Sequence, residues 1–307
     1  MRSAACPLWS MRAWLFAALG LGPGLLPAAP PITVTDDFNR VVTLPAPAAR
    51  IISLGPHITE NLFSAGAGDK VVGVVEHSDY PPRARRIQSL GGGYAQLNLE
   101  TVIALAPDLV VAWETAGNAE SVKKIVELGF TVYYSEPRSF EDIIENIEEL
   151  ALLAGSSDRI NPPPASLREE LQRVRARFGA KSTQTVFYQV WRNPLITLNG
   201  DHYISRALEL CGARNVFAEL SIIAPRVSVE AVLEANPDII IAGRSDGRGS
   251  DLSMWEKWNS LAAVTHDGFL FIDGSVMHRH TARMIMGIRG LCEKIDRVRR
   301  ARIQPAD

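Results

Sequence analysis

The pattern of hydrophobic and polar positions along this chain changes repeatedly between two periods. Short aliphatic runs bounded by Gly, Pro or Asp are typical of buried strands, whereas apolar residues recurring every three or four positions are typical of helices. After a hairpin at residues 32–44, the pattern predicts strands at 51–54, 71–75, 109–113, 131–134, 185–190, 239–242 and 269–272. It predicts helices at 59–65, 101–106, 121–128, 140–153, 166–178, 203–211, 229–235, 255–261 and 282–299. This alternation predicts an α/β fold with parallel sheets covered on both faces.

One unit of this pattern occurs twice. In residues 99–112, and again in residues 227–242, a Glu opens a short amphipathic helix, a Pro-Asp pair ends it and an aliphatic strand follows. The two pairs are Pro107-Asp108 and Pro237-Asp238. A unit that occurs once in each half of the chain predicts two similar lobes, each with its own sheet, and a ligand cleft between them.

A proline run separates the two halves of the chain. Asn161-Pro162-Pro163-Pro164 precedes a long helical pattern that ends at Gly179, and proline is tolerated in a first helical turn. We therefore expect an N-terminal lobe at 30–160, a linking helix at 161–180 and a C-terminal lobe at 181–307. The predicted fold is two Rossmann-like lobes with central parallel sheets, joined by one long α-helix. Because a helix bends less readily than a loop, we expect little hinge motion.

The first 29 residues have the pattern of a secretory signal peptide. Arg2 and Arg12 supply positive charge, residues 13–26 form an apolar run, and small residues follow it. The run is shorter than the about 20 residues of a comfortable transmembrane helix. An uncleaved anchor is the alternative.

Two cysteines, Cys211 and Cys292, remain once the signal segment and its Cys6 are removed. An even number of cysteines in an exported chain predicts one disulfide, here within the second lobe. Two buried free thiols are the alternative.

Composition and charge exclude several classes of function. The 307 residues are 47% hydrophobic and 21% charged with a net charge of −2, so nucleic acid is not an expected partner. The sequence has no Gly-x-Ser-x-Gly motif, phosphate loop or cysteine cluster, and no carboxylate pair whose spacing indicates acid–base catalysis.

Several segments, in order, resemble the helix-linked substrate-binding proteins of ABC importers, which carry iron complexes or cobalamin in the periplasm. The segments lie at residues 36–40, 50–60, 72–74, 78–82, 98–100, 210–217 and 227–230. Within that family, the Ser78-Asp79-Tyr80-Pro81-Pro82 segment, Ala112-Trp113 and the two cysteines look most like the cobalamin-binding branch.

The resemblance implies a function without catalysis. We expect a periplasmic protein that captures cobalamin or a related corrinoid and delivers it to the permease dimer of an ABC transporter in the inner membrane. The corrinoid is cargo, so no cofactor is expected, and the free protein should be a monomer. A ferric siderophore or haem is the alternative ligand, because the opening segment is shared across the family. A metal-binding protein or an enzyme is a more distant alternative.

Glu100 and Glu230 stand at equivalent places in the repeated unit. The resemblance implies that such a pair meets arginines on the two copies of the permease. Exposed carboxylates steer a basic partner and fix its register. A Glu at a helix start also favours the helix dipole, and both roles can hold.

The cleft should be lined by loops at the carboxyl ends of strands. The ligand-binding residues predicted on these loops are His57, His77, Tyr94, Trp113, Trp191, Ile196, Ser275, His278, Arg279 and His280. The resemblance implies that Tyr94 and Trp113 cover the corrin ring and that Arg279 reaches the polar rim of the ligand. It also implies that His77 replaces an aromatic residue.

Four of the six histidines fall on these predicted cleft loops. They could ligate the iron of haem, bind a bare Zn²⁺ or Mn²⁺, or form hydrogen bonds with a large polar ligand. No His-x-x-x-His spacing occurs, and the His278-x-His280 pair on a loop is weak support for a metal, so no metal site is predicted.

Overall fold

The computed structural model describes residues 30–91, 97–114, 119–245, 248–249 and 251–303. The strands are β1 (Ile32–Thr35), β2 (Val41–Leu44), β3 (Ile51–Ser53), β4 (Val71–Val74), β5 (Gln88–Ser89), β6 (Leu109–Ala112), β7 (Val132–Tyr134), β8 (Gln184–Gln189), β9 (Ala213–Asn215), β10 (Ile239–Ser245), β11 (Arg248–Gly249) and β12 (Phe269–Asp273). The helices are α1 (Pro56–Ser64), α2 (Leu99–Ala104), α3 (Ala119–Glu127), α4 (Phe140–Ala154), α5 (Pro164–Phe178), α6 (Tyr203–Leu210), α7 (Val229–Ala235), α8 (Ala262–Thr265), α9 (Gly274–Met277) and α10 (Ala282–Ile303).

The described strands form a hairpin and two five-stranded sheets. The first sheet has the order β5-β4-β3-β6-β7 and is parallel throughout. In the second sheet, β8 lies between β9 and β10, and β12 pairs with β10 in parallel. The short β11 pairs antiparallel with the end of β10. The structure therefore confirms the predicted α/β fold with two lobes, each built on a central parallel sheet.

The repeated Pro-Asp unit performs the same structural task in both lobes. The Asp108 carboxylate accepts hydrogen bonds from the backbone N–H groups of Ala49 and Arg50 at 2.8 and 3.0 Å, just before β3. The Asp238 carboxylate accepts one from the Thr185 N–H at 2.8 Å, at the start of β8. Each Asp thus ties the strand that it precedes to the amino end of the neighbouring strand.

Two helices contribute to the cores of both lobes. Helix α5 buries Leu167 in the core of the first lobe and Val174 in that of the second. Helix α10 likewise buries Ile285 in the first core and Ile288 in the second. Because both helices pack into both cores, the lobes are joined by buried apolar surface as well as by chain connectivity.

The predicted helix at 255–261 is wrong. The structure has a 3-10 turn at Ser253–Trp255 and begins helix α8 at Ala262. The Trp255 side chain is fully buried, and its indole N–H donates to Gln189 Oε1 at 2.8 Å. The Asn236 side-chain oxygen accepts from the Ala262 N–H at 2.8 Å, which fixes the later start. These tertiary contacts outweigh the weak helical propensity of the segment.

Other boundaries differ by a few residues. Helix α1 begins at Pro56 rather than Thr59, because the fixed backbone of proline suits a first helical turn. The strands β5, β9 and β11 and the helix α9 are too short to leave a periodic signal. None of the helices in the described residues is both long and apolar enough to span a membrane.

A disulfide joins Cys211, at the end of α6, to Cys292 in α10, as predicted. Both cysteines are fully buried in the core of the second lobe. The bond closes a loop across a sequence separation of 81 and ties the last helix to the body of that lobe.

We expect the double variant Cys211→Ala/Cys292→Ala to fold with a lower free energy of unfolding. Constraint of the unfolded chain by a loop of this length contributes about 4–5 kcal/mol in the chain-entropy description. Urea denaturation with and without reductant measures the loss. The reductant should destabilise the wild type and leave the double variant unchanged. Two alkylatable thiols in the folded, unreduced wild type would contradict the prediction.

Candidate ligand-binding cleft

A cleft of about 1230 Å³ opens between the lobes. Its walls come from the start of α1, the loops after β4, β6 and β7, the start of α6 and the segment from α9 to α10. This is the position expected for a site at the carboxyl ends of parallel strands. The lining residues are Phe38, Pro56, His57, His77, Asp79, Trp113, Glu136, Pro137, Arg138, Asp201, His202, Tyr203, Arg206, Ile223, Gly274, Ser275, His278, Arg279 and His280.

Aromatic and imidazole rings meet edge to face in the middle of the cleft. The ring centroid of His57 lies 4.9 Å from that of Trp113 and 5.5 Å from that of His280. The His280 ring in turn lies 4.0 Å from the ring of Tyr203. The buried nitrogens His57 Nε2 and Trp113 Nε1 have no hydrogen-bond partner among the described residues. Both nitrogens are hydrogen-bonding groups left without a protein partner beside the cleft, and the rings supply apolar surface.

A buried carboxylate joins the two lobes through an arginine that lines the cleft. Glu60, on α1 of the first lobe, is 3% exposed and meets two guanidinium groups of the second lobe. Arg283 binds it with two hydrogen bonds of 2.8 and 2.6 Å, and Arg279 Nη1 donates to it at 2.7 Å. Arg279 also reaches Asp79 at 2.8 Å and the backbone oxygen of His77 at 3.0 Å. We call the Glu60, Arg279 and Arg283 cluster the inter-lobe clasp.

A family model of periplasmic binding proteins matches residues 51–275. The chain belongs to this family. It is therefore a periplasmic substrate-binding protein and not an enzyme.

Relatives with curated names support the same conclusion. The chain is 34% identical to a vitamin B12-binding protein of Vibrio parahaemolyticus, over 86% of this chain and 96% of the relative. A solved structure of a periplasmic vitamin B12-binding protein from Vibrio cholerae superposes with a TM-score of 0.74 at 33% identity, covering 82% of this chain and 98% of that one. A periplasmic haem-binding protein from Roseiflexus superposes with a TM-score of 0.68 at 22% identity, covering 82% and 99% respectively, and shows the shared fold alone.

The binding protein brings together most of the ligand-binding residues predicted from sequence. His57, His77, Trp113, Ser275, His278, Arg279 and His280 all line the cleft. Arg279 is committed to the clasp, so its guanidinium is held between the lobes rather than free at the rim of the cleft. The indole of Trp191 is 60% exposed and donates to Asn193, and neither Trp191 nor Ile196 lines the cleft. Tyr94 lies outside the described residues.

The two glutamates predicted to dock lie at matching places. Glu100 and Glu230 are each exposed at the second position of their helices, α2 and α7. Both helices are capped, by the side chain of Asn98 in one lobe and of Ser228 in the other. Hydrogen bonds from its own backbone N–H and from the Ser228 hydroxyl lower the pKa of Glu230. The equivalence expected from the repeated sequence is therefore present in the structure.

Sequence reasoning missed several cleft residues. His202 and Tyr203 begin α6, at the end of the loop that follows β8. The sequence indicated only a helix start there, although a loop after a strand is a usable signal for a binding site. Phe38 lies in the turn of the N-terminal hairpin and left no signal in the sequence. Arg138 and Arg206 also line the cleft, and charged residues beside a helix start are ordinarily surface residues.

Burial favours the neutral form of four cleft histidines at pH 7. Burial lowers the pKa of His202 to about 3 and that of His280 to about 4. Burial, reinforced by the neighbouring His280, holds the pKa of His57 well below its ordinary value. Burial also lowers the pKa of His278, whose Nε2 lies 2.6 Å from the Tyr188 hydroxyl. The imidazoles therefore act as hydrogen-bonding groups, and the described residues contain no cluster of three or more His, Cys, Asp or Glu suited to a metal ion.

The stability of the binding protein should fall as the pH drops from about 6.5 towards 4. In this range the unfolded chain protonates histidines that the folded protein keeps neutral, so acid favours unfolding. For a histidine with a folded pKa of about 4, such as His280, moving from pH 7 to 5 costs about 2 kcal/mol. Urea denaturation at both pH values should show a smaller loss for His280→Gln than for the wild type.

The variant His266→Gln removes an exposed imidazole outside the cleft and is the matched control. An identical loss of stability on acidification in His280→Gln and the wild type would show that this imidazole is not the source.

Proposed function

We propose that this protein captures cobalamin or a related corrinoid in the cleft between its lobes and delivers it to an ABC transporter. The observation that carries the proposal is the 34% identity to vitamin B12-binding proteins over most of both chains. Cobalamin is cargo in this proposal, and the protein needs no cofactor of its own.

The size of the cleft supports a large ligand. Its volume of about 1230 Å³ exceeds the roughly 300–1,000 Å³ of pockets for drug-sized molecules. A corrinoid is a flat macrocycle with apolar faces and an amide-bearing edge. Trp113, Tyr203 and the imidazole rings supply flat apolar surface together with hydrogen-bonding groups, which suits both parts of such a ligand.

Haem is the second candidate. Its support is the set of neutral imidazoles in the cleft, because a neutral histidine nitrogen is a common ligand of haem iron. The haem-binding relative is too distant in sequence to favour this ligand. A corrinoid remains the better supported proposal because the closer sequence similarity is to vitamin B12-binding proteins.

The proposal extends to partners and export. The exposed Glu100 and Glu230 dock one on each half of a permease dimer in the inner membrane, and the free protein is a monomer. Residues 1–29 act as a signal peptide that is removed during export to the periplasm. Sequencing the N-terminus of the exported protein tests the cleavage.

Purified protein lacking residues 1–29 should bind cyanocobalamin at one site with micromolar or better affinity. This corresponds to a binding free energy of about −8 kcal/mol or a more negative value. Isothermal calorimetry measures the stoichiometry, and the visible spectrum identifies the bound chromophore. Haem and a ferric siderophore are the competing ligands. Saturation by haem with no heat from cyanocobalamin would contradict the corrinoid proposal.

The double variant Glu100→Ala/Glu230→Ala should lose transport and keep its affinity for cobalamin. Both carboxylates are exposed at helix starts away from the residues that line the cleft, so their removal leaves the ligand contacts intact. Transport into vesicles carrying the permease and calorimetry measure the two properties for each single and double variant. Glu234→Ala, an exposed change on α7, is the matched control. Normal transport by the double variant would refute the docking role.

A further inference from the structure

Two arginines line the cleft from opposite lobes. Arg138 precedes α4 of the first lobe, and Arg206 lies in the first turns of α6 in the second lobe. Neither guanidinium forms a salt bridge with a carboxylate of the described residues, in contrast to Arg279 and Arg283 in the clasp. Arg206 Nε donates to the backbone oxygen of Asp201 at 3.2 Å, which leaves the two terminal nitrogens of its guanidinium available.

These arginines lie at the border between two cavities. Arg206 lines both the cleft and a neighbouring cavity of about 880 Å³. Arg138 lines the cleft, and the next two residues, Ser139 and Phe140, line the second cavity. A ligand tail that extended from the cleft towards the second cavity would therefore pass Arg206 and the segment that carries Arg138.

The chemistry at this border suits an anion. A guanidinium group presents a planar set of donors that matches a phosphate, and its hydrogen bonds to an anion are stronger than those between neutral groups. Asp201 and Glu136 also line the cleft, so the charge there is mixed rather than broadly basic. Selection would therefore depend on the placement of one anionic group and not on the net charge of the ligand.

We propose that Arg138 and Arg206 form a subsite for the phosphodiester in the nucleotide tail of a complete corrinoid. The proposal rests on the corrinoid function proposed above and names the part of the corrinoid that the protein selects. Cobalamin carries the macrocycle, the phosphodiester and a terminal base, whereas cobinamide carries the same macrocycle without the phosphate or the base. The two arginines thus favour cobalamin over cobinamide, while the rings of the cleft bind both.

The test compares two ligands and four proteins. Calorimetry with cyanocobalamin and dicyanocobinamide is carried out on the wild type, Arg138→Gln, Arg206→Gln and the double variant. Each single change should weaken cobalamin about tenfold, the value of one charged hydrogen bond, and change cobinamide less than twofold. Added salt should weaken cobalamin binding to the wild type more than to the double variant, because salt screens the charge interaction.

Arg214→Gln is the matched control, because Arg214 is exposed on β9 and does not line the cleft. A melting temperature for each variant checks that it is folded. Equal weakening of both corrinoids, or no weakening of either, would overturn the subsite. A wild type that binds neither corrinoid would instead refute the proposed function, and the unmutated protein alone reveals that result.

Discussion

The structure depends on one buried carboxylate. Glu60 is nearly inaccessible to water and is held by two arginines that belong to the other lobe. An ionised group in such a place is tolerated only with close partners, and loss of one partner from a buried pair typically costs about 3–5 kcal/mol. The side-chain amide of Asn61 adds a hydrogen bond of 2.9 Å to the backbone oxygen of His280 across the same junction. The cluster that contributes Arg279 to the lining of the cleft is therefore also a contact that joins the lobes.

This arrangement divides the charged and neutral groups of the cleft into separate regions. The guanidinium groups of Arg279 and Arg283 are neutralised within the clasp, and burial favours the neutral forms of His202 and His280. The middle of the cleft is thus polar without being strongly charged. Such a surface suits a macrocycle whose edge carries amides, because neutral groups exchange hydrogen bonds without the desolvation cost of ions.

The fold could be predicted from the sequence where a short local pattern has a defined structural role. The Pro-Asp pairs recur because each aspartate joins the starts of two neighbouring strands, so their repetition indicated two similar sheets. The even number of cysteines indicated the disulfide, because cysteines in exported chains are usually paired. The segment around Trp255 was misjudged because distant residues, Gln189 and Asn236, decide its conformation.

The cleft could be predicted only in part. Loops at strand ends identified His57, Trp113 and the segment around His280, because topology alone brings those ends together. The commitment of Arg279 to Glu60 could not be inferred, since the pairing joins residues far apart in the chain. The same limitation hid Arg206, whose proximity to a second cavity depends on how the lobes pack.

The start of helix α10 belongs to the core of a lobe that precedes it in the chain. Its first turns bury Ala282 and Ile285 against the core of the N-terminal lobe, although in the chain they follow the described strands of both lobes. The first lobe therefore lacks part of its interior until residues 282–285 have been synthesised. Arg279 and Arg283, which neutralise Glu60, arrive at the same late stage. The N-terminal lobe therefore cannot reach its final packing before the start of α10 has been made.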